Sequence, residues 1–486
     1  PIVHAVKFFE KGDRPLEIIS TRQWYIKNGA RDDSLRTKLV DAGEAINFTP
    51  DYMRVRYENW VGGLTGDWLI SRQRFFGVPI PVWYELDAEG NKGAPILPTE
   101  DVLPVDPASD VPAGYSEADR GTKFVGEVDI MDTWATSSLT PQIAGGWERD
   151  PELWDLVFPY SLRSQAQDII RTWLFSTVLR SQLEHGVLPW ANAGISGFIV
   201  DPDRKKMSKS KGNVVTPGAI LEEHGSDAVR YWAASSRLGT DAAFDPQNPK
   251  QMKIGRRLAI KVLNAAKFVY SFPVPLVVEQ PHGAAVGVVE TSRTSNPLDQ
   301  DLLAELDRVI TTSTQAFDDF DHARALETAE QFFWTFCDDY LELVKERAYG
   351  ASTAEGQASA VATLREAVDI LLRLFAPFIP FATEEVWSWT HEGSVHTAAW
   401  PTPTGAGSPT GLLPLVSEAL IGIRRAKTDA KASQKTEVVS AILHGPASLQ
   451  LAADDLKAVG RIADLTFVEA EEVSVTDIVL AELEDA

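Results

Sequence analysis

Apolar residues recur at three- and four-residue spacing through most of 246–400, the period of amphipathic helices packed on one another. Helices are predicted over Arg256–Tyr270, Asp299–Phe317, His322–Arg347 and Thr363–Phe375. The first closes before Pro273, and Asn296-Pro297 stands ahead of the second as a start signal. Ala376–Trp387 ends this unit, and a helix bundle is the natural packing. The pattern upstream is different. Across 124–245 a strand at Pro159–Leu162 gives way to an amphipathic helix from Asp168 to about His185. A strand at Ala193–Val200 and a glycine-bearing loop follow. Alternation of this kind predicts half of a doubly wound parallel sheet, with ligands at the carboxyl ends of its strands. Residues 1–123 read as short strands such as Leu16–Ile19, a helix over 31–46, a turn into an aromatic strand over Phe75–Tyr84, and a surface excursion over 85–123. A hairpin falls at Ala88–Lys92. A Gly/Pro/Ser-rich linker over 401–411 leads to a helix at Leu415–Lys427 and strands at Glu437–Leu443 and Leu465–Glu469. Four segments result: 1–123, 124–245, a helical 246–400, and a linker with a small α/β appendage over 401–486.

Composition sharpens this outline. A chain of 486 residues with 44% hydrophobic content, 14 Trp and 21 Phe has ample material for several packed cores. No apolar run approaches the roughly 20 residues needed to cross a bilayer, so no membrane partner is expected. The one cysteine, Cys337, excludes an intrachain disulfide and a Cys-rich zinc site, and fits a reducing, cytoplasmic setting. The chain opens on Pro1 with no start signal for an element before it, and reads as a piece of a longer protein.

A formal charge of -23 argues mildly against nucleic acid as a partner, but local patches weigh more than totals. From Lys250 to Lys267 the chain carries Lys253, Arg256, Arg257 and Lys261 and no acid. Arg424, Arg425, Lys427, Lys431 and Lys435 form a second cluster. Each suits phosphates, and each equally suits a solvated helix face. The densest cluster is Arg204, Lys205, Lys206, Lys209 and Lys211, five cations within eight positions, interleaved with Ser208 and Ser210 and followed by Gly212. Lysines offer point charges to phosphate oxygens, and glycine permits close backbone approach, so a polyphosphate ligand fits. A solvated charge run is the other reading.

The order of residues decides between them. Lys206-Met207-Ser208-Lys209-Ser210, continued by Lys211-Gly212-Asn213-Val214-Val215, resembles the nucleotide-binding loop of the class I aminoacyl-tRNA synthetases. Arg22-Gln23-Trp24-Tyr25 and the run Asp67–Tyr84 are similar to the segment that follows the editing insertion in the family's valine, isoleucine and leucine members. Asp132–Ser138 (DTWATSS), Arg230–Ser236 (RYWAASS), Phe336–Lys345 and Pro377–Trp387 resemble the valine-specific members. The resemblance covers nearly the whole chain and weakens after about 400. It implies the second half of a Rossmann-like catalytic domain, an all-α anticodon-binding bundle and a small C-terminal α/β region.

The resemblance also implies an activity and its residues. Such enzymes join an amino acid, here valine, to ATP with its Mg2+, and transfer the acyl group to tRNA(Val). No covalent enzyme intermediate is needed, so positioning and charge stabilisation carry the chemistry. Lys206 and Lys209 are the implied catalytic lysines, with Met207, Ser208 and Ser210 beside them at ATP. Asp168 sits where the family holds the adenosine ribose, and Gly197, Phe198 and Ile199 where a strand edge meets adenine. The local pattern is Ala166-Gln167-Asp168 rather than Gly-x-Asp, and an Asp heading a helix is also a good cap. Trp134 occupies the place of a pocket wall, and Asp132 that of a partner for the substrate ammonium or the ribose. Core packing accounts for Trp134 equally well by composition. Arg256, Arg257 and Lys261 are the candidates for tRNA. No protein-bound zinc is expected, and a monomer is.

Two features of the family are missing from these residues. No His-x-Gly-His is present, for His4, His185 and His224 stand alone, and no editing domain is present. The chain alone is therefore expected not to form the aminoacyl-adenylate. A non-catalytic tRNA-binding remnant is the competing reading, and an isoleucine or leucine enzyme is the alternative specificity.

Overall fold

A computed structural model describes the chain except for residues 1–5, 10–11, 18, 208–211, 215, 274–276, 280–286, 290–293 and 482–486. It divides into two units, 1–197 and 198–486, so the stretch 124–245 contributes to both.

The first unit is built on three parallel strands in the order Asn47–Thr49, Trp190–Ser196, Tyr160–Ala166. The middle strand reads Trp-Ala-Asn-Ala-Gly-Ile-Ser, and Trp190, Ala193 and Ile195 are fully buried, as befits a strand covered on both faces. Helix Asp33–Ala45, capped by Asp32 through Leu35 N, supplies Leu39 to the core. Helix Arg54–Gly62 supplies Tyr57 and Phe175–Glu184 supplies Val178. Of the strand expected over Leu16–Ile19, Ile18 lies outside the described residues, Leu16 and Ile19 are exposed, and Leu16 N donates to Lys7 O at 2.8 Å beside an isolated antiparallel bridge between Phe8 and Pro15. The helix expected from Asp168 opens irregularly, with a 3-10 turn at Gln167–Ile169 and a wide π turn at Ile170–Leu174 before regular helix begins at Phe175. Wide turns of this kind collect at functional sites. The hairpin joins Trp83–Leu86 to Lys92–Ile96, and Phe124–Gly126 completes its sheet. Glu127 fixes this sheet to the amino-terminal segment: it accepts from Trp24 Nε1 at 3.0 Å, Tyr84 Oη at 2.8 Å and the Val128 and Asp129 amides. Burial opposes its charge, but these donors outweigh it and hold the carboxyl below its usual range.

The second unit opens with a short parallel pair, Ile199–Val200 with Ala242–Ala243, so the strand expected over Ala193–Val200 is interrupted at Gly197 and Phe198. Helices Ser226–Ala234 and Lys250–Ser271 follow and pack closely, because Gly255 faces Tyr231, where an added Cβ would come within 2.5 Å of the Tyr231 Cβ and 2.7 Å of its ring. The bundle continues with Pro297–Asp318, His322–Thr335, Leu341–Ala348 and Ala354–Phe375. A π turn at Phe336–Tyr340 breaks the helix expected over His322–Arg347, and Thr353 caps the fourth helix nine residues earlier than apolar spacing predicts. The appendage holds helices Leu412–Asp429 and Ala453–Gly460 and a sheet in the order Ile462–Glu469, Val438–Gly445, Ser474–Leu480.

Two sets of buried carboxylates join bundle and appendage. Asp299, with no exposed surface, accepts from Arg347 Nη1 at 2.6 Å and Nη2 at 2.8 Å, Tyr340 Oη at 2.7 Å and Ser359 Oγ at 2.6 Å. Arg347 also reaches both oxygens of Asp455, at 3.1 Å each. Burial works against the guanidinium charge, yet Asp299 outweighs it and raises the Arg347 pKa. The stretch 401–411 is likewise tied. Asp307 accepts from the amides of Thr404, Gly405 and Ala406, and Asp301 from those of Thr410, Gly411 and Leu413. A composition that predicts a loose linker here encodes a clamped one.

Candidate functional site

In the first unit a cavity of about 530 Å³ opens beside the first turns of the helix that follows Tyr160–Ala166. Trp60, Trp68, Trp134 and Phe175 give it apolar walls, while Arg72, Asp132 and Arg171 supply charge. Trp134 reaches it on the short helix Thr133–Ser137, whose amino terminus Asp132 caps through Trp134 N at 3.1 Å. The other carboxylate oxygen of Asp132 pairs with Arg72 at 2.7 Å and accepts from Trp68 Nε1 at 3.3 Å. Arg171 lies 5.9 Å from the Trp60 ring. Asp132 and Trp134, both expected at the amino-acid pocket, line one cavity. Trp60, Trp68, Arg72 and Arg171 were not singled out. Arg72 and Arg171 were legible as cations inside otherwise apolar or aromatic runs.

Asp168 and Gly197 stand just past the carboxyl ends of the adjacent strands Tyr160–Ala166 and Trp190–Ser196. Asp168 is exposed on the 3-10 turn, and Gly197 is half-buried. Arg163, on the strand that leads to Asp168, is buried between two indoles, 3.1 Å from the Trp173 ring centre and 5.1 Å from that of Trp190. Burial lowers its pKa to about 10.

The cationic loop belongs to the second unit. Its root is Asp201, which accepts from Lys205 N and Asn213 Nδ2, both at 2.8 Å, while Asp201 N donates to Lys205 O. The Asn213 amide and then the Lys205 N–H hold the Asp201 carboxyl below its ordinary range. Phe198 N donates to Asp241 Oδ1 at 2.8 Å, and Lys206 Nζ lies 4.2 Å from the Phe198 ring centre. Ile199 is exposed on its strand, and Met207 packs against the Ile220, Ala228, Phe244 and Met252 cluster. That packing and the Asp201–Asn213 bond pin the two ends of the loop. Ser208, Lys209 and Ser210 lie outside the described residues. Gly212, at φ +68, takes the left-handed turn that glycine permits without strain.

The cation-rich helix Lys250–Ser271 exposes Lys253, Arg256 and Arg257. Arg257 and Lys261 share the face of Trp334, at 5.3 and 5.9 Å. Lys261 also pairs with Asp338 at 3.1 Å, and Arg256 donates to Glu223 O at 2.8 Å. Trp334 was read only as part of a predicted helix. The second cation cluster is not one surface. Lys427 is buried, its pKa lowered by burial, and donates to the Gln434 and Gly460 carbonyls, while Arg424 donates to Asp338 O and Asp339. Among the described residues no group of three His, Cys, Asp or Glu side chains is placed to hold a metal ion, and no helix is long and apolar enough to cross a membrane.

A parallel sheet with a cavity beside it, a lysine loop and a helical bundle define a class of protein, and comparison with known families gives the same answer. A family model described as tRNA synthetases class I (I, L, M and V) matches residues 16–245, and one described as the anticodon-binding domain of tRNA ligase matches residues 299–443. Over residues 16–245 the chain carries the class I aminoacyl-tRNA synthetase domain, and over 299–443 the anticodon-binding domain of tRNA ligases. The chain is similar to valine--tRNA ligases along almost its entire length. It is 64% identical to that of Leifsonia xyli subsp. xyli over 99% of this chain and 56% of the relative. For Thermobifida fusca the figures are 57% identity, 99% and 55%. The chain therefore spans about half the length of the curated relatives it matches. Among solved structures, Mycobacterium tuberculosis methionyl-tRNA synthetase with methionyl-adenylate aligns with a TM-score of 0.54 at 20% identity, covering 82% of this chain and 70% of that one. The Agrobacterium radiobacter K84 LeuRS, solved with tRNA and LeuAMS, aligns at 0.53 and 19%, covering 78% and 44%. These likenesses speak for the fold, and the expected order of a synthetase catalytic half before a helical anticodon-binding domain is borne out.

Proposed function

We propose that this chain is part of an ATP-dependent valine-tRNA ligase, working as a cytoplasmic monomer on valine, ATP with its Mg2+, and tRNA(Val). The observation that carries this reading is the loop 204–211, five cations on a root fixed by Asp201 and Asn213, in a chain 64% identical to a protein named valine--tRNA ligase. Lys206 and Lys209 stabilise charge as it builds on the α-phosphate and departing pyrophosphate, with Met207 anchoring the loop and Ser208 and Ser210 donating. Asp168 holds the ribose, and Gly197, Phe198 and Ile199 meet the adenine. The aromatic cavity takes the valine side chain, with Trp134 as a wall. ATP–pyrophosphate exchange tests this. The full-length enzyme exchanges with valine at least about tenfold better than with isoleucine, the scale of one methylene, and the 486-residue chain alone gives none. Equal use of isoleucine, or exchange by the chain alone, contradicts it.

The same reading gives the helix Lys250–Ser271 to the tRNA backbone through Arg256, Arg257 and Lys261. Each phosphate contact releases counterions, so Arg257→Gln lowers the slope of log affinity against log salt by about one. Arg424→Gln, whose guanidinium is occupied by Asp338 and Asp339, leaves the slope unchanged. Filter-binding titrations over a salt series separate the two, and equal slopes for both variants speak against this surface.

A further inference from the structure

We propose that Asp132 is a positioning residue that fixes two indoles of the cavity, Trp68 and Trp134, and so sets its selectivity among branched aliphatic amino acids. The proposal rests on the reading of the cavity as the amino-acid pocket. Four groups meet at this residue, three from the run 68–72 and one two residues along its own segment. Its Oδ2 accepts from Trp68 Nε1 at 3.3 Å and from Arg72 Nη2 at 2.7 Å. Its Oδ1 accepts from Trp134 N at 3.1 Å, and its own amide donates to Ile70 O at 2.6 Å. Arg72 is fixed in turn, since its Nη1 donates to the carbonyls of Leu69 and Ser71, and the strand Ser71–Arg72 pairs with Ile130–Met131. One carboxylate therefore holds Trp68 through its ring N–H and Trp134 through its backbone N–H, with Arg72 balancing the charge. At 6% exposed and with three donors from the protein, that carboxylate is committed to the walls of the cavity.

This arrangement answers a difficulty inherent in the substrate. Valine presents no polar side-chain handle, and one methylene in an apolar pocket is worth only about 10–200-fold in discrimination. That margin requires walls held to within roughly 0.5 Å, which an indole anchored only by packing does not secure. A short helix such as Thr133–Ser137 has little stability of its own, so its cap decides where Trp134 sits.

The test uses the full-length enzyme and the ratio of kcat/KM for valine over isoleucine in ATP–pyrophosphate exchange. Asp132→Ala lowers the ratio about tenfold through a higher KM for valine, while KM for ATP stays within about twofold. Asp132→Asn is isosteric and keeps an acceptor but loses the charge paired with Arg72. It lowers the ratio about threefold, and carries the test by itself if the alanine variant does not fold. Trp134→Ala serves as the control for the pocket. If it lowers the ratio and both Asp132 variants leave it unchanged, the positioning role is overturned and the pocket stands. If Trp134→Ala leaves the ratio unchanged as well, the pocket reading itself is overturned. A fall in kcat alike for both amino acids at constant ratio also overturns the positioning role.

Discussion

Lys209→Ala in the full-length enzyme is expected to depress ATP–pyrophosphate exchange by about 10²–10³-fold while tRNA affinity stays within about twofold. The reason is the timing of the charge. Under the proposed function, adenylate formation places new negative charge on the α-phosphate and the departing pyrophosphate, and a cation that neutralises it lowers the barrier without strengthening ground-state tRNA binding. The loop's two ends are restrained by Met207 on one side and the Asp201–Asn213 hydrogen bond at 2.8 Å on the other, so the substitution removes a charge from a loop that keeps its root. Exchange assays and tRNA titrations on the same preparation check it. Parallel losses in both would sink the phosphate role.

Arg347→Met is expected to destabilise the second unit by about 3–5 kcal/mol, the cost of leaving one side of a buried ion pair unmatched. Asp299 has no exposed surface and Asp455 is 7% exposed, so neither carboxylate recovers its lost partner from solvent. Tyr340 and Ser359 still donate to Asp299, which keeps the loss below that of a bare buried charge. Denaturant unfolding of wild type and variant measures it, and a difference under about 1 kcal/mol would show that the network is dispensable.

The helical bundle was legible because its apolar period is long and repeated. The boundaries that shifted did so where side-chain chemistry overrode period: Thr353 began a helix early, and the turns at Ile170–Leu174 and Phe336–Tyr340 widened without any proline or glycine to announce them. The loop lysines stood out as a charge cluster, whereas Trp134, Asp132 and Asp168 stood out only through resemblance to the synthetase family. What their side chains touch was not legible. Nothing in the spacing of Trp68, Arg72 and Asp132 says that they converge, since the pairing of Ser71–Arg72 with Ile130–Met131 creates that contact across about 60 residues of intervening chain. Lys427 errs in the opposite sense, for a lysine in a cation-rich stretch turned out to be buried beneath it.

The clamping of 401–411 alters where the molecule can be divided. By composition this is the obvious place to cut, swap or insert a module. Severing it would unseat six backbone amides from Asp301 and Asp307 and leave two buried carboxylates inside the bundle without those donors. A chimera joined here therefore inherits a defect in the donor of the bundle, not only a new tail. The unit of exchange is wider than the bundle after Pro297, since Leu258, Val262 and Val269 of the helix Lys250–Ser271 share its core and Asp227 accepts from the amides of Phe381 and Ala382.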